Sequence, residues 1–300
     1  MRIHFGEMLL AAGILAAGSA RADTVYAATY QPPGVDIVSP TGIVTPFCSG
    51  ISEFNSMIAD GHGNLYVSSY ANVIYKINAQ GTASVFATTG LANPQGMAFD
   101  AAGNLYVANE NNQTIEEFNA QGQPTLFANT GTIAPEALAF DSNGNLYAAL
   151  GGSSTIEKYN AAGVGTPFAT VNSPYCLAYY NGSLYAGSSL GSGAIVDISL
   201  NGGGTSFITT GVDGPQELAF DSNGNLYCAN DYNNTITEYG PQGTYSLFGS
   251  DAYLNGIAVG PVPEPSAGWI GALGGILLTV ARRCKAGARA RNLMVTKPRD

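Results

Sequence analysis

Apolar and polar residues along residues 94–130 alternate in four short runs separated by turn residues. Pro94-Gln95-Gly96-Met97-Ala98-Phe99-Asp100 reads as an apolar strand, Ala101-Ala102-Gly103 as a turn and Asn104-Leu105-Tyr106-Val107-Ala108 as a second strand. After a polar loop, Thr114-Ile115-Glu116-Glu117-Phe118 alternates strictly, Asn119-Ala120-Gln121-Gly122 turns the chain, and Pro124-Thr125-Leu126-Phe127-Ala128 supplies a fourth strand. No stretch between Asp23 and Gly260 combines helical periodicity with capping residues.

The same unit recurs about every forty residues. Its marks are the pairs Val25-Tyr26, Leu65-Tyr66, Leu105-Tyr106, Leu146-Tyr147, Leu184-Tyr185 and Leu226-Tyr227, and later in each unit Phe47, Phe86, Phe127, Phe168, Phe207 and Phe248. A period of this size means a solenoid or a propeller, and four antiparallel strands per unit select propeller blades. The ends support closure. Thr24 to Thr29 match a second strand, Gly34 to Val38 a third and Val44 to Cys48 a fourth, while Asn255-Gly256-Ile257-Ala258-Val259 matches a first strand with no successors. Joining the last strand to the first unit removes two exposed sheet edges, so the expectation is all-β: a six-bladed β-propeller closed by the C-terminal strand in the N-terminal blade.

Residues 24 to 260 resemble the NHL-repeat and SMP-30/gluconolactonase-like propellers. The resemblance rests on a recurring Pro-x-x-Leu-Ala-Phe-Asp-x-x-Gly-Asn-Leu-Tyr, fullest at Pro135 to Tyr147 and Pro215 to Tyr227. It implies blade architecture and says little of chemistry, because hydrolases, lyases, binding modules and scaffolds share such folds. One copy departs from the pattern. At Pro174 to Tyr185, Tyr180 replaces the Asp and the turn shortens to Asn181-Gly182, which predicts a tighter hairpin.

The two ends read as addresses. Arg2, the apolar run Met8 to Ala17 and the small-x-small Ala20-Arg21-Ala22 describe a signal peptide over 1–22, with Glu7 an unusual charge within it. The propeller is then expected over 23–260. In 261–281, Val262-Pro263-Glu264-Pro265-Ser266 precedes the uncharged run Ala267 to Ala281, and a basic tail from Arg282-Arg283 fills 282–300. This order resembles the PEP-CTERM sorting signal of Gram-negative bacteria. The resemblance implies recognition of Pro263, Glu264 and Pro265 by an exosortase-like membrane processing enzyme, a transmembrane helix holding an inner-membrane intermediate, a cytoplasmic basic tail and final display at the cell surface or outside the cell. An ordinary C-terminal anchor is the alternative, and the apolar run is short of the ~20 residues of an unstrained span.

Charge follows the same boundaries. Residues 23 to 264 hold nineteen of the 21 carboxylates but only Lys76 and Lys158 of the 11 basic residues, a net charge of about −17. This excludes nucleic acid as a partner and suits a soluble exterior outside the cell, with basic partners or divalent cations as its attractors. Cys48, Cys176 and Cys228 take strand positions held elsewhere by small or apolar residues and show no metal or redox spacing; they read as core residues.

A site is expected at the mouth of the central channel, where first strands begin and second-to-third strand loops converge. By repeat alignment the ring there is Asn55, Gln95, Glu136, Tyr175, Gln216 and Asn255. No cofactor follows from the residues alone; the resemblance to the gluconolactonase-like enzymes implies a calcium or other divalent ion, held here by Glu136, Asn55, Asn255 and Glu217. Strand alternation points Glu217 away from the ring unless its strand bulges. A second surface is formed by the upper loops, with Tyr70, Asn109, Glu110, Asn230, Asp231 and Tyr232 suited to stacking on and hydrogen-bonding sugars or peptides. Asp141 to Asn145 and Asp221 to Asn225 resemble the start of a calcium loop but recur as hairpin turns and lack the closing Glu. His62, the one histidine beyond the signal segment, falls on a hairpin at the other face, so no nucleophilic triad or histidine-based lyase site assembles.

The leading expectation is an exported, non-catalytic binding or scaffold propeller whose partner is an extracellular polysaccharide or surface protein. The alternative is a divalent-cation-dependent lactone hydrolase.

Overall fold

The computed structural model describes residues 23–188, 193–200, 205–251 and 254–261, without the side chains of 205–207. The expected signal peptide, the Pro263-Glu264-Pro265 motif, the transmembrane helix and the basic tail lie outside the described residues. Among the described residues no helix is long and apolar enough to cross a membrane.

Six four-stranded antiparallel sheets form the blades. The innermost strands are Leu254–Pro261 in blade 1, Phe54–Ala59 in blade 2, Pro94–Phe99 in blade 3, Pro135–Phe140 in blade 4, Pro174–Tyr180 in blade 5 and Pro215–Phe220 in blade 6. Each packs against the inner strand of the next blade, and blade 6 returns through blade 1 to blade 2. Blade 1 is completed by Asp23–Tyr30, Pro33–Val38 and Val44–Ser49. Its two chain ends pair antiparallel, with Val25 opposite Val259 and Ala27 opposite Ile257. The closure and the four-strand unit read from the repeat pattern are what the structure holds.

Alternation decides where the core sits. Residues on both faces of each sheet pack between neighbouring blades, so apolar clusters form at the blade interfaces rather than in one central mass. The recurring tyrosine and phenylalanines have one purpose there. Tyr66 of blade 2 lies between Phe86 of its own outer strand and Phe99 of blade 3, at ring distances of 5.0 and 5.1 Å; Tyr106 repeats this with Phe127 and Phe140 at 5.0 and 4.9 Å. All four contacts are edge-to-face, each adding about 0.5–1.5 kcal/mol beyond the area buried.

The Asp-x-x-Gly-Asn segments are closed hairpins. Asp141 Oδ1 accepts the backbone N–H groups of Asn143 and Asn145, both at 2.9 Å, and Oδ2 accepts the Asn145 side-chain amide at 2.7 Å and the Tyr147 hydroxyl at 3.2 Å. Asp60, Asp100 and Asp221 make the same backbone and amide bonds, with His62 in the Asp60 turn. Local donors fill these carboxylates. In blade 5 the hairpin is tighter, as its sequence predicts: Asn181 and Gly182 both have positive φ, 45° and 87°, and Tyr180 pairs directly with Ser183. The Tyr180 ring stacks on Phe220 of blade 6 at 4.6 Å.

Candidate binding site at the channel mouth

The channel encloses a cavity of about 300 Å3 lined by the inner strands. Each inner strand slips register near its start. The slips fall between Phe54 and Ser56, Pro94 and Met97, Pro135 and Ala137, Pro174 and Cys176, and Pro215 and Glu217. In blade 1, Thr29 pairs with Leu254 and Ala28 with Gly256, passing over Asn255. The six ring residues of the sequence alignment are thus the unpaired residues of six β-bulges, which re-aim side chains at the mouth.

The bulge is the condition on which Glu217 is expected at the channel. Strict alternation would send it away from the ring, whereas the register slip brings its carboxylate across the channel to blades 1 and 2. Oε1 accepts the Ser56 hydroxyl at 2.5 Å and the Met57 N–H at 3.2 Å, and Oε2 accepts the Ile257 N–H at 2.9 Å. Those amides lie on inner strands whose channel side has no further strand to pair with, so the carboxylate serves as their acceptor. Ser56, Gly96, Ala137, Cys176 and Gly256 hold the matching positions elsewhere, all small, and a Cβ on Gly256 would stand 2.5 Å from Glu217 Oε2. Burial pushes the Glu217 carboxyl up to about 8, against the pull of the three donors.

Three of the four ring amides tie blade to blade, and the fourth, Gln95, bonds within blade 3. Asn255 Nδ2 donates to the Phe54 carbonyl at 2.5 Å and to the Tyr30 hydroxyl at 3.1 Å; Asn55 Nδ2 donates to the Pro94 carbonyl at 2.7 Å and to Asn93 Oδ1 at 3.2 Å. Gln216 Nε2 spans Asn255 Oδ1 and the Tyr175 hydroxyl at 3.4 and 3.5 Å, and Gln95 Nε2 donates to Glu110 Oε2 at 2.7 Å. Because carbonyl acceptors fix the Asn55 amide orientation, its oxygen is the atom left over, buried and without a hydrogen-bond partner.

Glu136 completes the ring as its one carboxylate, beside Gly151, where a Cβ would come within 2.8 Å of Glu136 Cγ. Burial first, then the charge of Glu110, pushes its carboxyl up to about 7. The upper loops join the same mouth instead of forming a separate surface. Tyr30, Tyr70, Glu110, Gly151 and Asp231 all stand four residues after the recurring tyrosine of their blades. The Tyr30 hydroxyl donates to the Phe54 carbonyl at 2.8 Å and shares a hydrogen bond with Tyr70. Tyr30 was not among the residues expected from the sequence; extending the repeat alignment by those four positions finds it.

Two of the expected loop residues have another task. Asn109 and Asn230 are fully buried and pin the preceding loops, Asn109 through Gly90 O at 2.9 Å and the Ala92 N–H at 3.0 Å, Asn230 through Gly211 O at 3.1 Å and the Asp213 N–H at 2.9 Å. Their amides are saturated by the fold and do not face a ligand. Tyr232 is 61% exposed, with its ring laid over Gly214.

The mouth is electronegative without a local counter-charge. Burial and then the Glu136, Tyr70 and Glu110 charges raise the Tyr175 hydroxyl above its usual range; burial, Tyr70, Asp231 and Glu53 do the same for Tyr30. Lys76 and Lys158, the two lysines among the described residues, hold their ammonium groups over the Tyr66 and Tyr147 rings, and the Tyr147 hydroxyl reaches Asp141 on the opposite, hairpin face.

The residues present do not fit a hard divalent ion of the gluconolactonase kind. Such an ion takes about six to eight oxygens. Asn255 Oδ1 is occupied by Gln216 and both Glu217 oxygens by serine and backbone donors, which leaves Glu136 and the oxygen of Asn55. Among the described residues no group of three or more His, Cys, Asp or Glu is placed to hold a metal.

Neither a protein-family model nor a curated relative matches the chain. Solved structures match its fold. A chain of the nidogen/laminin complex superposes with a TM-score of 0.69 at 16% identity, covering 80% of this chain and 99% of that one. A streptogramin B lyase gives 0.60 at 15% identity over 78% and 83%, and a gluconolactonase from Xanthomonas campestris gives 0.59 at 14% identity over 76% and 85%. At these identities the likeness establishes architecture alone: the chain is a six-bladed β-propeller whose structural neighbours include two enzymes and a component of the nidogen/laminin complex.

Proposed function

We propose that this chain is an exported, non-catalytic propeller that binds its partner at the channel mouth. The observation that carries this reading is the state of the ring: its amide nitrogens are spent on hydrogen bonds of the fold, three of them between blades and that of Gln95 within blade 3, while Glu136, Tyr70 and Tyr175 remain as a cup of polar and aromatic groups. Such a cup supplies what a binding module needs, a carboxylate and ring hydroxyls for hydrogen bonds and ring faces for apolar contact. In this proposal the N-terminal segment directs export, an exosortase-like enzyme processes the chain at Pro263-Glu264-Pro265, and the propeller is released to the surface or the extracellular matrix. The test is fractionation of cells carrying the wild-type chain or Pro263→Ala/Pro265→Ala. Wild type should reach the outer surface or medium, and the variant should accumulate in the inner membrane; identical distribution of both rejects the sorting proposal.

The competing reading, a divalent-cation lactone hydrolase, draws on the two free oxygens of Glu136 and Asn55. Lactone hydrolysis that depends on calcium and disappears in Glu136→Gln would establish it. No turnover with calcium present supports the binding reading.

A further inference from the structure

We propose that the channel mouth takes an organic cation, an alkylammonium or guanidinium group, seated against the Glu136 and Glu110 carboxylates among the Tyr30, Tyr70 and Tyr175 rings, with Asn55 beneath. This rests on the binding reading above and gives the ligand its chemistry.

Three observations converge on it. The first is an uncompensated charge: Glu136 lines the cavity, Glu110 is held beside it by the cavity-lining Gln95, whose Nε2 donates to it at 2.7 Å, its charge raises the Glu136 carboxyl, and the two lysines among the described residues are tied to tyrosines toward the hairpin face. Bringing a positive group between two partly buried carboxylates removes their repulsion, and the partial burial keeps that attraction from being fully screened by salt. The second is the aromatic wall. Tyr70 is 49% exposed, and Tyr175 lines the cavity close enough to feel both Glu136 and Tyr70. Ring faces attract cations and cover the alkyl stem that carries them, a combination a hydrated metal ion does not use. The third is independent of the acids. Asn55 lines the cavity, is 9% exposed, and has an amide oxygen with no partner while its Nδ2 is held by Pro94 and Asn93. A buried acceptor without a donor is costly, and an N–H group of an entering ammonium or guanidinium supplies one.

An alkylammonium requires less of the protein than calcium does. It is satisfied by two or three acceptors and an aromatic face, which the mouth has, whereas the six to eight oxygens of about the calcium number are not there. The cavity of about 300 Å3 admits a single extended side chain or a linear amine, and not a folded partner. Two sources share this chemistry: a free polyamine, and a lysine or arginine side chain on a basic protein segment.

Calorimetric titration of the full-length chain in detergent, with spermidine in one arm and a short Lys/Arg-containing peptide in the other, tests the inference. Glu136→Gln should weaken binding on the order of tenfold or more, the scale expected when a partly desolvated charge partner is lost. Asp36→Asn, which removes an equal charge from the third strand of blade 1, should change it less than about twofold. Binding of spermidine identifies free amines as sufficient; binding of the peptide alone identifies a protein side chain. Equal weakening by both variants would reduce the effect to bulk charge and overturn the site, as would absence of binding by both cations. A neutral oligosaccharide that binds in a Glu136-dependent manner, with both cations inert, overturns the cation and leaves the binding propeller standing. Thermal melting of each variant beside the wild type shows whether lost binding is lost folding, and in that event Tyr70→Leu, a change on an exposed ring, replaces Glu136→Gln as the variant read out.

Discussion

The two faces of this propeller handle carboxylates in opposite ways. On the hairpin face, Asp141 sits in a turn that supplies it with two backbone N–H groups, an amide and a hydroxyl; burial alone would raise its carboxyl, yet these bonds hold it below the usual range. At the channel, Glu136 has burial and the negative Glu110 beside it and is pushed up to about 7, while Glu217, partly buried where it crosses the channel, goes to about 8 in spite of three donors. A residue type repeated at one position with the same local donors is architecture. One that varies around the ring, as Asn55, Gln95, Glu136, Tyr175, Gln216 and Asn255 do, is where the fold leaves room for a specific partner.

Glu217→Gln should break the contrast most visibly, through pH. The folded carboxyl titrates near 8 and the unfolded one near its ordinary 4.5. Below 4.5 both states are protonated and the residue has no pH effect; as pH rises from 4.5 to 8 the unfolded chain ionises first, so stability falls, and above 8 the full penalty remains. The amide variant keeps a donor for Ser56 and an acceptor for the backbone but cannot ionise. Unfolding free energies from urea titration should favour the variant at pH 8.5 relative to pH 5, by ~4 kcal/mol at most. An unchanged slope would mean that Glu217 is ionised throughout.

Asp141→Ala tests the hairpin side. Four hydrogen bonds to one carboxylate disappear, and a loss of about 2 kcal/mol in denaturant unfolding is expected. Since the folded carboxyl is held below the unfolded value of 3.8, that stabilisation is present above the unfolded value and fades as pH falls through the folded one. The wild-type advantage over the alanine variant should therefore shrink in acid, the reverse direction from Glu217.

A smaller effect belongs to the one hairpin that abandons the Asp pattern. Gly182 has φ of 87° in its two-residue turn, so Gly182→Ala should cost about 1 kcal/mol in the same assay. The smallest is Glu136→Gln, expected within about 0.5 kcal/mol of wild type because no hydrogen bond among the described residues depends on that carboxylate. A large loss of stability there would make Glu136 a structural residue and remove the distinction between the faces.

Much of the architecture could be read from the chain because every blade restates it. The Tyr66 and Tyr106 positions recur with their phenylalanine partners, the alternation sets the strands, and the orphan strand at Asn255 to Val259 has one place to go. The mouth was less legible. Repeat alignment found its ring, but left the direction of Glu217 open between plain alternation and a bulge, since a bulge of one residue leaves little trace in composition. It also offered Asn109 and Asn230 as binding groups, because an amide that pins a loop and an amide that meets a ligand look identical in sequence.

The sequence by itself therefore determined the repeat, the blade count, the closing strand and the strong negative charge of residues 23 to 264, all consequences of local periodicity and composition. Tertiary structure decided which polar groups are consumed. Only when six inner strands converge do Asn55, Asn255 and Gln216 reach the next blade, Glu217 cross to Ser56 and Ile257, and Glu136 stand beside Glu110 without a hydrogen bond among the described residues. Satisfaction of a buried polar group depends on partners some forty or more residues away in the chain, and a local pattern cannot encode that.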